Sequence, residues 1–101
     1  MKYEIYVGLN DKVTKKQEIT TETALQYVYQ FLADNTEGAT VSLVNGIYKH
    51  EDGTVVIENT IKIELVYLTF DKVKKIIEVF KQHFNQESIM LVKVTSRVDF
   101  M

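Results

Sequence analysis

The chain has 101 residues, of which 46% are hydrophobic, and its formal net charge is −2. This size and composition predict one domain over residues 1–101, with a core that needs no disulfide or structural metal. The absence of cysteine excludes thiol catalysis, iron–sulfur clusters and zinc knuckles. Because basic residues are scattered along the chain, neither nucleic acid nor an anionic membrane is expected as a partner.

The N-terminal third predicts a strand followed by a helix. Residues 2–9 alternate between apolar and polar side chains, which is typical of a strand with one buried face. Residues 21–34 repeat apolar side chains at helical spacing, and Thr20 or Thr21 can cap this helix. The intervening segment 10–19 is mostly polar and predicts a long connection.

The middle of the chain predicts a hairpin. Residues 40–50 and 54–67 flank an Asp52-Gly53 turn, which gives two long, matched strands. Asn45-Gly46 is a competing turn signal, but a turn there would leave strands of only about four residues. We therefore expect these two residues to form a β-bulge.

The C-terminal third predicts a second helix and a last strand. Residues 70–84 again follow helical spacing, with Thr69 as the cap, and residues 88–100 alternate. In this last strand we expect Met90, Val92 and Val94 to face the core, with Lys93 on the opposite side.

The order strand, helix, strand, strand, helix, strand predicts a ferredoxin-like α+β sandwich. Right-handed βαβ crossovers place both helices on one face of a four-stranded antiparallel sheet, in strand order 4-1-3-2. The other face of the sheet is left open, and it can stay solvated or make contacts.

The open sheet face is the first candidate binding surface. It is expected to carry charged and aromatic side chains, and tyrosine is enriched where proteins bind other molecules. These side chains are Glu4, Tyr6, Lys62, Glu64 and Lys93, with Tyr48 joining from the second strand. The alternative is a solvated face that carries ion pairs.

The junction between the second helix and the last strand is the second candidate, with Gln86, Glu87 and Ser88 in sequence. Glu87 could act as a base or contact a ligand beside Ser88. The alternative is that Gln86 and Glu87 satisfy backbone groups at the junction, since helix ends leave carbonyl groups without partners.

The two histidines give little support for metal or triad chemistry. His50 precedes Glu51 and Asp52, but it lies at the tip of the predicted hairpin, where charged residues are usually solvated. His83 is expected on the polar side of the second helix, so a Ser–His–acid arrangement has weak support. We expect no metal site and no cofactor.

Three short segments carry a resemblance. They are Tyr6-Val7-Gly8, Gly46-Ile47-Tyr48-Lys49 ahead of Asp52-Gly53, and Phe84-Asn85-Gln86-Glu87-Ser88-Ile89. Together they resemble a small bacterial family catalogued only as a domain of unknown function, with a C-terminal phenylalanine-x-Gln-Glu-Ser-aliphatic segment. Its members tend to read Glu-Pro-Ser where this chain has Glu58-Asn59-Thr60. The resemblance implies the fold and candidate positions, and it brings no assigned activity.

The sequence therefore predicts a non-enzymatic protein that forms a homodimer through its sheet face or edge and binds a protein or small molecule. One alternative is an enzyme with a pocket on the open sheet face, in which Glu4, Glu64 or Glu87 is the base and Tyr6 or Tyr48 the acid. Another is a phage-type inhibitor or adaptor that binds a larger protein.

The location in the cell is predicted from missing signals. No apolar run approaches the ~20 residues of a membrane span. Residues 1–8 are charged and alternating, unlike a signal peptide. We expect a soluble cytoplasmic protein.

Overall fold

The computed structural model describes residues 1–101, and two helices cover one face of a four-stranded antiparallel sheet. The elements in chain order are β1 (Lys2–Gly8), α1 (Thr21–Asn35), β2 (Thr40–Lys49), β3 (Val55–Val66), α2 (Phe70–His83) and β4 (Met90–Val94). The strand order is β2-β3-β1-β4, which is the predicted order read from the opposite edge. The ferredoxin-like α+β prediction is confirmed.

The core lies between the two central strands and the helices. Ile5 pairs with Ile63 and Val7 with Ile61, and all four side chains are fully buried. Phe80 of α2 is the largest fully buried side chain. The helices bury Ala24, Val28, Leu32, Val73, Ile76 and Phe80. This alternation leaves the even-numbered residues of β1 on the open face, as side chains alternate along a strand.

Both helices begin at the predicted caps. The side chain of Thr20 accepts a hydrogen bond from the backbone N–H of Thr23, at 3.2 Å. Thr69 accepts one from the N–H of Lys72, at 3.3 Å. These bonds satisfy backbone donors that the first helical turn leaves free. Neither helix is long and apolar enough to cross a lipid bilayer.

The β2–β3 hairpin turns at the predicted Asp-Gly pair. The N–H of His50 donates to the carbonyl of Thr54 at 2.8 Å, and Gly53 has a φ of 91°. The predicted bulge at Asn45-Gly46 is wrong, because Gly46 pairs directly with Glu58 in a continuous register. A Cβ atom on Gly46 would lie 2.9 Å from Oγ1 of Thr60. The glycine therefore allows a close side-chain approach within a regular ladder.

The orientation predicted for the last strand is also wrong. Lys93 pairs with Tyr3, and Tyr3 is buried on the helix face, so Lys93 lies on that side of the sheet. Its Nζ atom is 3.8 Å from the ring centroid of Phe70. The strand ends at Val94, which pairs with Lys2 at the very start of β1. The predicted extension to residue 100 has no paired residue on β1.

Candidate active site

On the open sheet face, most of the predicted charged residues form hydrogen bonds or ion pairs within the face itself. The hydroxyl of Tyr6 donates to Oε1 of Glu4 at 3.0 Å, and Lys2 lies 3.2 Å from Glu4 and 3.1 Å from Glu64. The Tyr6 hydrogen bond, followed by that of Lys2, lowers the pKa of Glu4 below its ordinary value. The Nζ atom of Lys62 lies over the Tyr6 ring, 5.7 Å from its centroid. This part of the surface is a connected ion-pair network.

A polar pocket of about 340 Å³ lies at the other end of β1, and we refer to it as the Glu58 pocket. Its lining residues come from the loop after β1, the β2–β3 hairpin and the α2–β4 junction. They are Asn10, Asp11, Lys12, Lys15, Tyr48, His50, Glu58, Gln86, Glu87 and Ser88. Four predicted candidates, Tyr48, Gln86, Glu87 and Ser88, therefore come together. Glu4, Tyr6, Lys62, Glu64 and Lys93 do not line this pocket.

Glu58 is held over the end of β1. A Cβ atom on Gly8 would lie 2.5 Å from Glu58 Oε1, so the carboxylate occupies space that any other residue would fill. The other oxygen, Oε2, accepts a hydrogen bond from the backbone N–H of Asn10 at 3.0 Å. Both partners of the carboxylate, the Cα of Gly8 and the N–H of Asn10, belong to the backbone, and the charge-assisted hydrogen bond from Asn10 favours this position of the Glu58 side chain.

Tyr48 lies on the same face of the hairpin, two residues beyond Gly46. Partial burial of the phenol, followed by the nearby charge of Glu58, raises the pKa of Tyr48 above its ordinary value. The ring of His50 contacts the Tyr48 ring edge-on, with 5.3 Å between centroids. Tyr48 is therefore a neutral hydrogen-bond donor at physiological pH.

Gln86 is a buried structural link at the base of the pocket, with 8% of its surface exposed. Its Nε2 donates to the carbonyl of Asn10 at 2.7 Å and to that of Phe84 at 3.2 Å. Gln86 thus satisfies backbone groups, as the alternative interpretation of this junction expected, whereas the side chain of Glu87 makes no such hydrogen bond. Glu87 and Ser88 follow it with exposed side chains at the pocket rim.

The loop after β1 is fixed to the α2–β4 junction. Nδ2 of Asn85 donates to Asp11 Oδ2 at 2.9 Å, and the N–H of Lys12 donates to the Asn85 carbonyl at 3.0 Å. Oδ1 of Asp11 accepts from the N–H groups of Val13 and Thr14. The Asn85 bond, followed by these backbone bonds, lowers the pKa of Asp11. These hydrogen bonds connect the loop to the α2–β4 junction next to Glu58.

Glu58 was not among the residues selected from the sequence. The one feature of the sequence that could have pointed to Glu58 is a pair of glycines, Gly8 and Gly46, on the two strands that flank β3. Gly46 pairs with Glu58, and Gly8 pairs with Thr60 two residues away. Only the strand register shows that both glycines border the same acidic side chain.

These observations define a small α+β protein with a polar pocket of mixed charge around Glu58, at one end of its sheet. The chain belongs to the S-adenosylmethionine lyase family, whose family model matches residues 9–101. No curated protein sequence matches it.

Two solved structures share the fold. One is a phage SAM lyase in complex with S-methyl-5'-thioadenosine, with 24% identity and a TM-score of 0.66, covering 89% of this chain and 76% of that one. The other is a phage SAM lyase in the apo state, with 21% identity and a TM-score of 0.61, covering 89% and 75% of the two chains. At these identities the likeness establishes the fold.

Family membership corrects the predicted function. The prediction of a non-enzymatic binding module was wrong, because the matching family is one of lyases, which are enzymes. The resemblance to a family of small domains was right, but the matching family has a named activity, whereas the resemblance brought none. The error arose because two of the carboxylates selected as possible bases, Glu4 and Glu64, are paired with Lys2, while Glu58 at the other end of the sheet was not selected.

Proposed function

We propose that this protein cleaves S-adenosylmethionine and that the Glu58 pocket is its active site. The family match supports the reaction, since it covers every residue that lines the pocket. The single observation that supports this location of the active site is the position of the Glu58 carboxylate. It lies over Gly8, accepts a hydrogen bond from the Asn10 amide and is close to Tyr48. The phage lyase with the same fold was solved with S-methyl-5'-thioadenosine, the thioether that remains when the substrate loses its amino-acid side.

The reaction breaks the bond between the sulfonium sulfur and Cγ of the amino-acid side. Its electron pair goes to sulfur, which becomes the neutral thioether of S-methyl-5'-thioadenosine. Because a lyase adds no water, the bond that Cγ loses to sulfur must be replaced by a new bond within the four-carbon fragment. Either its own carboxylate oxygen bonds to Cγ and gives a lactone, or Cβ loses a proton to a base and gives an alkene.

The pocket supports this reaction chiefly by binding and orientation. The carboxylates of Glu58 and Glu87 favour a cationic ligand, and the sulfonium and ammonium groups of the substrate are both cations. Tyr48 supplies a neutral hydrogen-bond donor beside Glu58. Holding the flexible amino-acid side in one geometry is a large source of rate acceleration for an intramolecular step. The pocket volume lies at the lower end of the roughly 300–1,000 Å³ usual for small-molecule sites.

The proposal is tested by identifying products. Purified protein is incubated with S-adenosylmethionine in ¹⁸O-labelled water, and early time points are analysed by mass spectrometry. We expect S-methyl-5'-thioadenosine together with an unlabelled lactone or alkene. A sample without protein corrects for spontaneous breakdown of the substrate. Formation of the thioether at the uncatalysed rate, or labelled homoserine as the first product, would contradict the proposal.

A further inference from the structure

We infer that Lys12 and Lys15 form a subsite for the carboxylate group of the substrate. The inference rests on the proposed function and assigns the recognition of one charged group within the same pocket. It concerns the loop between β1 and α1, which the polar pattern of residues 10–19 predicts only as a connection.

Both lysines line the Glu58 pocket from this loop. The backbone that carries them is held by the Asn85–Asp11 hydrogen bond and by the bond from Lys12 N–H to the Asn85 carbonyl. Lys15 has a φ of 63°, a conformation that L-residues seldom adopt, and its N–H donates to the Asp11 carbonyl at 2.9 Å. The loop therefore presents two long cationic side chains from a fixed base.

Neither lysine is paired with a carboxylate of the chain. The ion pairs are Lys2–Glu4, Lys2–Glu64 and Arg97–Asp99. Asp11 is the nearest acidic residue in sequence, but its two oxygens already accept from Asn85 and from backbone N–H groups. The ammonium groups of Lys12 and Lys15 thus remain available to an anion at the pocket.

The charges of the substrate match this arrangement. S-adenosylmethionine carries a sulfonium and an ammonium, which suit Glu58 and Glu87, and one carboxylate, which suits the lysines. S-methyl-5'-thioadenosine carries none of these charges. The lysines should therefore strengthen binding of ligands that keep the amino-acid side, and should leave binding of the thioether unchanged.

The test compares two ligands by isothermal titration calorimetry. S-adenosylhomocysteine keeps the carboxylate and, being a neutral thioether, is a poor substrate for C–S cleavage, whereas S-methyl-5'-thioadenosine lacks the carboxylate. In the double variant Lys12→Met/Lys15→Met, we expect the Kd for S-adenosylhomocysteine to rise about 3- to 20-fold, as for two exposed ion pairs. The Kd for the thioether should change less than about 2-fold, since no ion pair is lost.

Lys16→Met is the matched control, because Lys16 is on the same loop and does not line the pocket. It should bind both ligands as the wild type does. Unchanged S-adenosylhomocysteine affinity in the double variant, or an equal loss for both ligands, would overturn the subsite while the proposed function stands. A wild-type protein that binds neither ligand would overturn both.

Discussion

The carboxylate of Glu58 occupies the space where a side chain of Gly8 would lie, since an added Cβ atom would be 2.5 Å from its Oε1 atom. The two residues are on neighbouring strands, β3 and β1, and the backbone N–H of Asn10 holds the second oxygen. The missing side chain at Gly8 thus leaves room on β1 for the carboxylate of a residue on the adjacent strand β3.

The first prediction follows from this contact. Gly8→Ala should displace the Glu58 carboxylate and lower the rate of S-adenosylmethionine cleavage at least about 10-fold, because misplaced catalytic groups lose orientation. Circular dichroism should still show a folded protein. Gly38→Ala is the control, since an added Cβ atom meets nothing within 4 Å there. Equal rates in the two variants would contradict a role for the Gly8–Glu58 contact.

The second prediction concerns the link from Gln86 through Asn10 to Glu58. Gln86→Leu removes the donor to the partly buried Asn10 carbonyl, and the loss of such a hydrogen bond costs about 0.5–1.5 kcal/mol of unfolding free energy. We also expect a lower turnover number, since Asn10 holds Glu58. Urea denaturation and steady-state kinetics measure the two effects.

Asn85→Gly provides the comparison for Gln86→Leu. It removes the hydrogen bond to Asp11 but keeps the Gln86–Asn10 bond, and glycine suits the positive φ of 48° at this position. Its turnover number should fall less than that of Gln86→Leu. A larger fall would show that the loop, and not the Asn10 link, positions Glu58.

The element order and the hairpin turn could be predicted because each depends on local pattern. Alternation, helical spacing, the threonine caps and the Asp52-Gly53 turn are all properties of short segments. The direction of Lys93 could not be predicted in the same way. Residues 88–100 alternate with apolar side chains on both faces, and the pairing with Tyr3 alone decides which face is buried.

The pocket was predicted only in part, for a similar reason. Tyr48 and the Gln86–Ser88 segment stood out by type and position in the sequence, and the fold brings them together. Glu58 looked like an ordinary acidic strand residue. Its role depends on the empty space above Gly8 and beside Gly46. These glycines are distant in sequence and lie on either side of β3, and only the strand register shows that both border Glu58.

The third prediction is a pH dependence of stability. The pKa of Glu4 is lowered in the folded protein, chiefly by the Tyr6 hydrogen bond and then by Lys2. Its stabilising contribution is therefore present above the unfolded pKa of about 4.3 and is lost as the pH falls through the lower folded value. Glu4→Gln should reduce the acid-induced loss of unfolding free energy below about pH 5.

Urea denaturation over a series of pH values measures this loss. Glu78→Gln is the control, because Glu78 is exposed on α2 and forms no ion pair. It should follow the wild-type pH dependence. Parallel curves for wild type and Glu4→Gln would show that the Lys2–Glu4–Tyr6 network does not contribute to acid stability.

The fourth prediction concerns assembly, since the homodimer stays a prediction. Ile47 and Ile57 pair on the β2–β3 hairpin and are 69% and 64% exposed. β2 is an edge strand, and exposed apolar side chains beside a free edge favour contact with a second copy. We expect light scattering to report a dimer, and Ile47→Lys to reduce its mass to that of a monomer. A wild-type monomer at all concentrations would contradict this.

The most direct test of the account compares Glu58→Gln with Glu64→Gln in one assay of S-methyl-5'-thioadenosine formation. Both residues are on the open face of β3, but only Glu58 lines the pocket, while Glu64 pairs with Lys2. Glu58→Gln should lower the rate about 10²- to 10³-fold, as for the loss of one fixed electrostatic group. Glu64→Gln should stay within about 3-fold of the wild type. Retention of the wild-type rate by Glu58→Gln, with both variants folded, would contradict the assignment of the active site.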